Sequence, residues 1–156
     1  MRRPSTFVIL AALLGAAVVC LAQAADPNMG TWKLNEAKSK ISPGTGKNTT
    51  VIYAATGDKV KITVDGVDPD GKPVHSEWTG MFDGKDYPVT GDLVSDARSY
   101  KRVNDHTLAM TGKKDGKAVL TVNIVVAPDG KTRTVTAKGT DAKGNKYTSV
   151  SVYDKQ

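Results

Sequence analysis

The residues best suited to chemistry are His75, Glu77 and His106. His75 and Glu77 stand two apart, so on a strand they share one face, and with His106 they would make a metal-binding or acid–base trio. Two histidines in a whole domain are a thin basis for such a centre. The simpler reading is an exposed polar strand face. The chain has no Gly-x-Ser-x-Gly elbow, no phosphate loop and no His-Glu-x-x-His pair. No catalytic residue, metal ligand or cofactor is therefore expected, and the reading is non-enzymatic. Asn48-Thr49-Thr50 is a glycosylation sequon, which matters only in a eukaryotic source.

Binding chemistry has more candidates. Trp78 shares a strand face with Val74 and Ser76 and could stack on a ligand, although a strand tryptophan more often belongs to the core or rim. Arg98, Tyr100 and Arg102 alternate along one face and could hold an anion. Basic residues at period two more often form a solvated exterior, and that is the expectation for this face. Arg133, between Lys131 and Val135, could supply a cation to a bound molecule.

These residues must be positioned by strands. Turn chemistry recurs at Gly57, Gly71, Gly84, Gly116, Gly130 and Gly144, with spacings of 14, 13, 32, 14 and 14 residues, and further turns fall near Gly91-Asp92 and Asn104-Asp105. Asp-Gly supplies the positive φ that tight hairpins demand. Between the turns, apolar and polar residues alternate, as in Val60, Ile62 and Val64 set among Lys59, Lys61 and Thr63. That is a period of two. Ten strands are predicted near 30–35, 48–55, 59–66, 72–82, 85–90, 96–103, 106–113, 117–127, 131–140 and 146–153. The link from Asn35 to Lys47 is too rich in Ser, Pro and Gly for regular structure beyond one helical turn capped by Asn35. The fold class is all-β, an up-and-down antiparallel meander. Closing it into a barrel removes every exposed edge.

The chain has 156 residues, 39% of them hydrophobic and 24% charged, with a mean hydropathy of −0.32, which excludes a polytopic membrane protein and a disordered tail. Much of the apolar content sits at the start. Arg2 and Arg3 precede a mostly apolar run from Phe7 to Leu21, and Ala22-Gln23-Ala24 follows it. This is the layout of a cleaved signal peptide over 1–24. Cleavage there would leave a single domain, 25–156, with a net charge of +4 instead of +6 and without the one cysteine, Cys20. A periplasmic or secreted domain without disulfides is expected, with no membrane insertion after cleavage and no nucleic-acid partner.

Gly30-Thr31-Trp32-Lys33-Leu34 resembles the Gly-x-Trp opening of the calycins, the superfamily of lipocalins and fatty-acid-binding proteins. The ten-strand layout, the Asp-Gly-Lys hairpins and the ending Val152-Tyr153-Asp154-Lys155 are similar to the fatty-acid-binding branch. The resemblance implies a calycin-like β-barrel in which Trp32 closes one end as a structural residue. It implies that Arg133 packs against Trp32 there, and that Tyr153 contacts ligand. It departs at Ser151-Val152-Tyr153, where the family's last strand has Arg-x-Tyr, and in the 36–47 link, too short for the family's helical lid.

Strand parity leaves the interior open to two readings. Burial favours turning Leu120, Val122, Ile124, Val126, Val150 and Val152 inward, at about 1.5–3 kcal/mol per buried side chain. The resemblance turns Tyr147, Ser149, Ser151 and Tyr153 inward instead. Phe82 is the one phenylalanine after the leader, and ten strands enclose a wide space. The expected function is reversible binding of a small, mostly apolar molecule inside the barrel, with Tyr153, Trp78, Tyr100 and Arg133 as ligand contacts. The alternative is a cavity-free module acting through its surface in envelope structure or protein binding.

Overall fold

The computed structural model describes residues 25–141 and 143–156. The leader expected over 1–24 lies outside them.

The strands are β1 (Gly30–Leu34), β2 (Lys47–Thr56), β3 (Lys59–Val67), β4 (Pro73–Gly80), β5 (Asp83–Thr90), β6 (Ala97–Asn104), β7 (Thr107–Lys114), β8 (Lys117–Val126), β9 (Thr132–Thr140) and β10 (Lys146–Lys155). Each pairs antiparallel with the next, and β1 pairs with β10, so the meander closes into a barrel without a free edge. The seam is made by Trp32 with Lys155, Lys33 with Asp154 and Leu34 with Tyr153. Lys40 continues it through a bridge to Val150. The thinnest junction is β4–β5, with two residue pairs, Glu77 with Thr90 and Trp78 with Val89.

Turn chemistry sets the register. Asp115 and Gly116 both have positive φ, 50° and 76°, between the paired residues Lys114 and Lys117. This is the two-residue hairpin whose twist matches the strands it joins. At longer turns a carboxylate replaces the missing ladder. Oδ1 of Asp68 accepts from the backbone N–H of Asp70 and Lys72, and Oδ1 of Asp141 from those of Lys143 and Asn145. The link after β1 holds a single 3-10 turn, Glu36–Lys38, in which the Lys38 N–H donates to both the carbonyl and the side-chain oxygen of Asn35.

Alternation decides which side chains enter the core. The buried set includes Trp32, Val51, Tyr53, Ile62, Val64, Trp78, Tyr100, Leu108, Met110, Ile124 and Tyr153. The two parity readings are each right for one strand. On β8, Val122, Ile124 and Val126 are buried as aliphatic burial requires. On β10, Ser149 and Tyr153 are buried, and Val150 and Val152 keep partial exposure on the outer face. Tyr153 pairs with the buried Arg133 and the partly buried Leu34, and Ser149 with the partly buried Ala137, so β10 shares its inward parity with these neighbours.

Candidate functional site

Arg133 enters the barrel by simple alternation, between the outward-facing Thr132 and Thr134 and across from Val126 and Tyr153. It is 2% exposed. Its guanidinium carbon stands 4.7 Å from the Trp32 ring centre, 4.8 Å from Tyr53 and 5.0 Å from Tyr153. Among the described residues no carboxylate lies within ion-pair distance of it, and Nε and Nη1 are sealed from solvent without an acceptor. Each cation–π contact is worth about 0.5–2 kcal/mol. Removing a cation from water costs several kcal/mol, and each unsatisfied N–H adds about 1–3 kcal/mol. The rings therefore offset the charge in part and leave the N–H bonds unserved.

The same end of the barrel is plugged by the segment before β1. Asn28 is fully buried, and its carbonyl accepts from Trp32 Nε1 at 3.0 Å. Its Nδ2 donates to Asp26 Oδ1 and to the Asp105 carbonyl, and its Oδ1 has no donor among the described residues. Asp26 pairs with Arg102, whose guanidinium lies 5.3 Å from the Phe82 ring centre. An open cleft of about 790 Å³ lies outside this plug, edged by Asp26, Arg102, His106, Lys131 and Lys155.

A second aromatic group continues from the first. Tyr53, which touches Arg133, lies 6.4 Å from Phe82, and Phe82 stacks with Trp78 at 6.4 Å and 11°. Tyr100 closes on Trp78 at 4.6 Å. Burial raises the Tyr100 hydroxyl well above its ordinary value and pushes Tyr153 up to about 12, the latter against a lowering by Arg133. Both are neutral hydroxyls at physiological pH, and Tyr153 donates to the Asn48 carbonyl at 3.1 Å.

The face of Arg98, Tyr100 and Arg102 corrects the sequence-based expectation of a solvated exterior. It points inward, with Arg98 and Tyr100 buried. The reason is a counter-ion that turns in from the loop after β5. Arg98 Nη2 donates to Asp92 Oδ2 at 2.8 Å, the side chains being 9% and 10% exposed, and the Ser95 hydroxyl donates to the same carboxylate oxygen. Burial pushes the Asp92 carboxyl up, but the Arg98 charge and the bonds from Ser95 and Val94 outweigh it, leaving it below the carboxylate range. The loop is wedged in place. Gly91 has φ +74°, and a Cβ there would meet the His75 carbonyl at 2.0 Å.

Trp78, Tyr100, Tyr153 and Arg133 thus all lie inside the barrel, linked through Tyr53 and Phe82. Sequence reasoning missed Tyr53, Asp92, Ser95 and Asn28. For Asp92 a signal existed, an acid in a turn six residues before an arginine at strand parity.

His75 and Glu77 lie side by side, Nε2 3.7 Å from Oε1, but His106 does not join them. His75 is exposed on the outside of β4, its Nδ1 2.6 Å from Asp65 Oδ1, and Glu77 pairs with Lys61. His106 lies in the β6–β7 turn at the other end, with Nδ1 3.2 Å from the Val126 carbonyl. No group of three potential metal ligands occurs among the described residues. Hydrogen bonding to Asp65, with the Asp65 and Glu77 charges, raises the His75 pKa. His75 should titrate above the ordinary histidine value of about 6.5 in proton NMR, and Asp65→Asn should bring it down. An unchanged midpoint in that variant would remove Asp65 as the cause.

One side of the interior is not packed shut. Leu120, Val135, Ala137, Tyr147 and Ser151 share inward parity with buried neighbours but remain partly exposed. Water-sized space adjoins them. Val135 is the next inward residue after Arg133 on β9. No family model matches the chain, and no curated protein matches it.

Proposed function

We propose that this protein is an exported, lipocalin-like binding protein that takes up a small, mostly apolar molecule reversibly in the barrel interior, in the periplasm or outside the cell, and performs no reaction on it. The observation that carries this reading is the accessible strip of Leu120, Val135, Ala137 and Ser151 inside a barrel whose other inward side chains are mostly sealed. Ligand pockets of this kind combine an apolar wall with a few polar groups that fix orientation. Here the wall is aliphatic, and the polar groups are Arg133, Ser151 and the Tyr153 hydroxyl. A ten-strand meander closed on itself, with a buried Trp32 under Arg133, is compatible with a calycin-like barrel.

The test is native mass spectrometry of the purified protein for a co-purified small molecule, followed by displacement of an apolar fluorescent probe. A bound species, or saturable uptake at one site per chain, is expected. No bound species and no uptake across lipid, sterol and pigment classes would end this reading.

A second reading, action through the surface, is favoured by exposed apolar residues. Leu93 and Val94 tip the loop after β5, and Val103 and Val125 stand on the outer face around Thr107. Empty spectra together with pull-down of a defined protein partner that fails with Leu93→Ser would support it.

A further inference from the structure

The outside of the barrel is uneven in charge. Thr107 on β7, Val125 on β8, Thr134 on β9 and Val152 on β10 lie in one outward row, each paired with the next. Ala109, Asn123, Thr136 and Val150 make the row beside it. None of these eight residues is charged, although 24% of the chain is and solvent-facing positions are where charge ordinarily sits. The charges stand at the border instead: Lys101 beside Ala109, Lys138 beside Thr121 and Asp154 beside Thr132. Across the barrel, the outside of β3 and β4 carries Lys61, Asp65, His75 and Glu77. We propose that the outward face of β7–β10 is a self-association surface, covered in solution by the same face of a second copy, whatever the interior holds.

Charge selects a second copy as the occupant. A net charge of +6 makes two copies repel wherever lysines face each other, and this neutral face is where they meet without that repulsion. Threonine and asparagine side chains both donate and accept hydrogen bonds, so a face built of them satisfies its own kind, as an isologous contact requires. Val125 pairs with Thr107, and Val103 adjoins Asn104, the other partner of Thr107. The two valines are 39% and 58% exposed, apolar area that no described segment of the chain covers. A neutral centre inside a charged border is the anatomy of a protein interface. Four strands about 4.8 Å apart and three side-chain rows about 6.8 Å apart, the third holding Thr111 and Thr121, span roughly 20 by 20 Å. With its border the face offers about 500–600 Å² per copy, the low end of specific interfaces, so the dimer is one that dissociates on dilution.

The test is sedimentation velocity of the purified protein from about 1 µM to about 1 mM, at about 0.15 M salt. A reversible monomer–dimer equilibrium with a midpoint of about 10–100 µM is expected. Raising the salt to about 0.5 M should leave that midpoint within about twofold, because no ion pair carries the contact. Asn123→Lys sets like charges against each other near the centre of the face and should weaken the dimer about tenfold or more. Thr63→Lys, on the outside of β3, should leave it within about twofold. Both substitutions stand on the outer surface, so both variants should keep the wild-type melting temperature to within a few degrees. A monomer throughout the concentration range overturns the proposal. A dimer that survives Asn123→Lys, or that Thr63→Lys weakens as much, uses another surface and overturns it too. Should Asn123→Lys fail to fold, single cysteines in a Cys20→Ser background decide. A short bis-maleimide should link Thr136→Cys chains into dimers and leave Thr63→Cys chains single, and equal linking of the two overturns the assignment of this face.

Discussion

Trp78→Ala is expected to lower the free energy of unfolding by about 3–5 kcal/mol, the range for removing a fully buried large aromatic side chain. Trp78 is 1% exposed and holds the middle of the aromatic group. Its ring stacks on Phe82, meets Tyr87 edge-on at 5.7 Å and 82°, and lies 4.6 Å from Tyr100. Its Nε1 donates to the Arg98 carbonyl at 3.0 Å, so truncation leaves both a void and an acceptor without its donor. The neighbouring backbone cannot close the gap cheaply. Gly80 already sits so close that a Cβ there would lie 2.6 Å from the Trp78 ring. Trp78→Phe keeps part of the ring and loses the hydrogen bond, for an expected cost of about 1–2 kcal/mol. Urea denaturation at an unchanged m-value measures both, and a cost below about 1 kcal/mol for the alanine variant would show that this group does not anchor the core.

Asp92→Asn carries the second large effect, about 3 kcal/mol at neutral pH, because it leaves Arg98 buried without its counter-ion. The pH dependence follows from the direction of the shift. The folded-state pKa of Asp92 lies below its ordinary value, so the pair's contribution is fully present above the unfolded carboxylate range, near 4, and is lost as pH falls through the folded value. Wild type and variant should therefore differ most at pH 7 and converge in strong acid. The loop should respond as well. The N–H groups of Val94 and Ser95 donate to the Asp92 carboxylate at 3.1 and 3.2 Å, and their hydrogen exchange should speed up in the variant. A constant difference across the whole pH range would place the damage elsewhere than in the ion pair.

Both predictions turn on side chains that sequence reasoning reached unevenly. Trp78 was legible as a core or rim residue from its place in an alternating run, and its burial follows from that period. Arg98 was read as solvated because a cation at period two is most cheaply left in water. Its true position depends on Asp92, an acid six residues earlier in a turn, and the turn has to fold back toward β6 before the two can meet. Arg133 was set against Trp32 by the resemblance alone, and the structure has it there, 4.7 Å from the ring centre, together with Tyr53 and Tyr153. Its neighbours in sequence are Thr132 and Thr134, whereas its neighbours in space come from β1, β2 and β10.

What the amino-acid sequence determined by itself is the set of elements: ten strands, their hairpins and the all-β class. Alternation and Asp-Gly turns act over two to four residues, so they are written locally. Even there β10 was ambiguous, because Val150 with Val152 and Ser149 with Tyr153 offer opposite inward faces. Closure decided it. Once β1 pairs with β10, the register sets Tyr153 beside Leu34 and Arg133, and all four inward residues of that strand follow. The tertiary structure alone brings Trp32, Tyr53 and Tyr153 together around Arg133, because that gathering is a property of the closed ring and of no single strand.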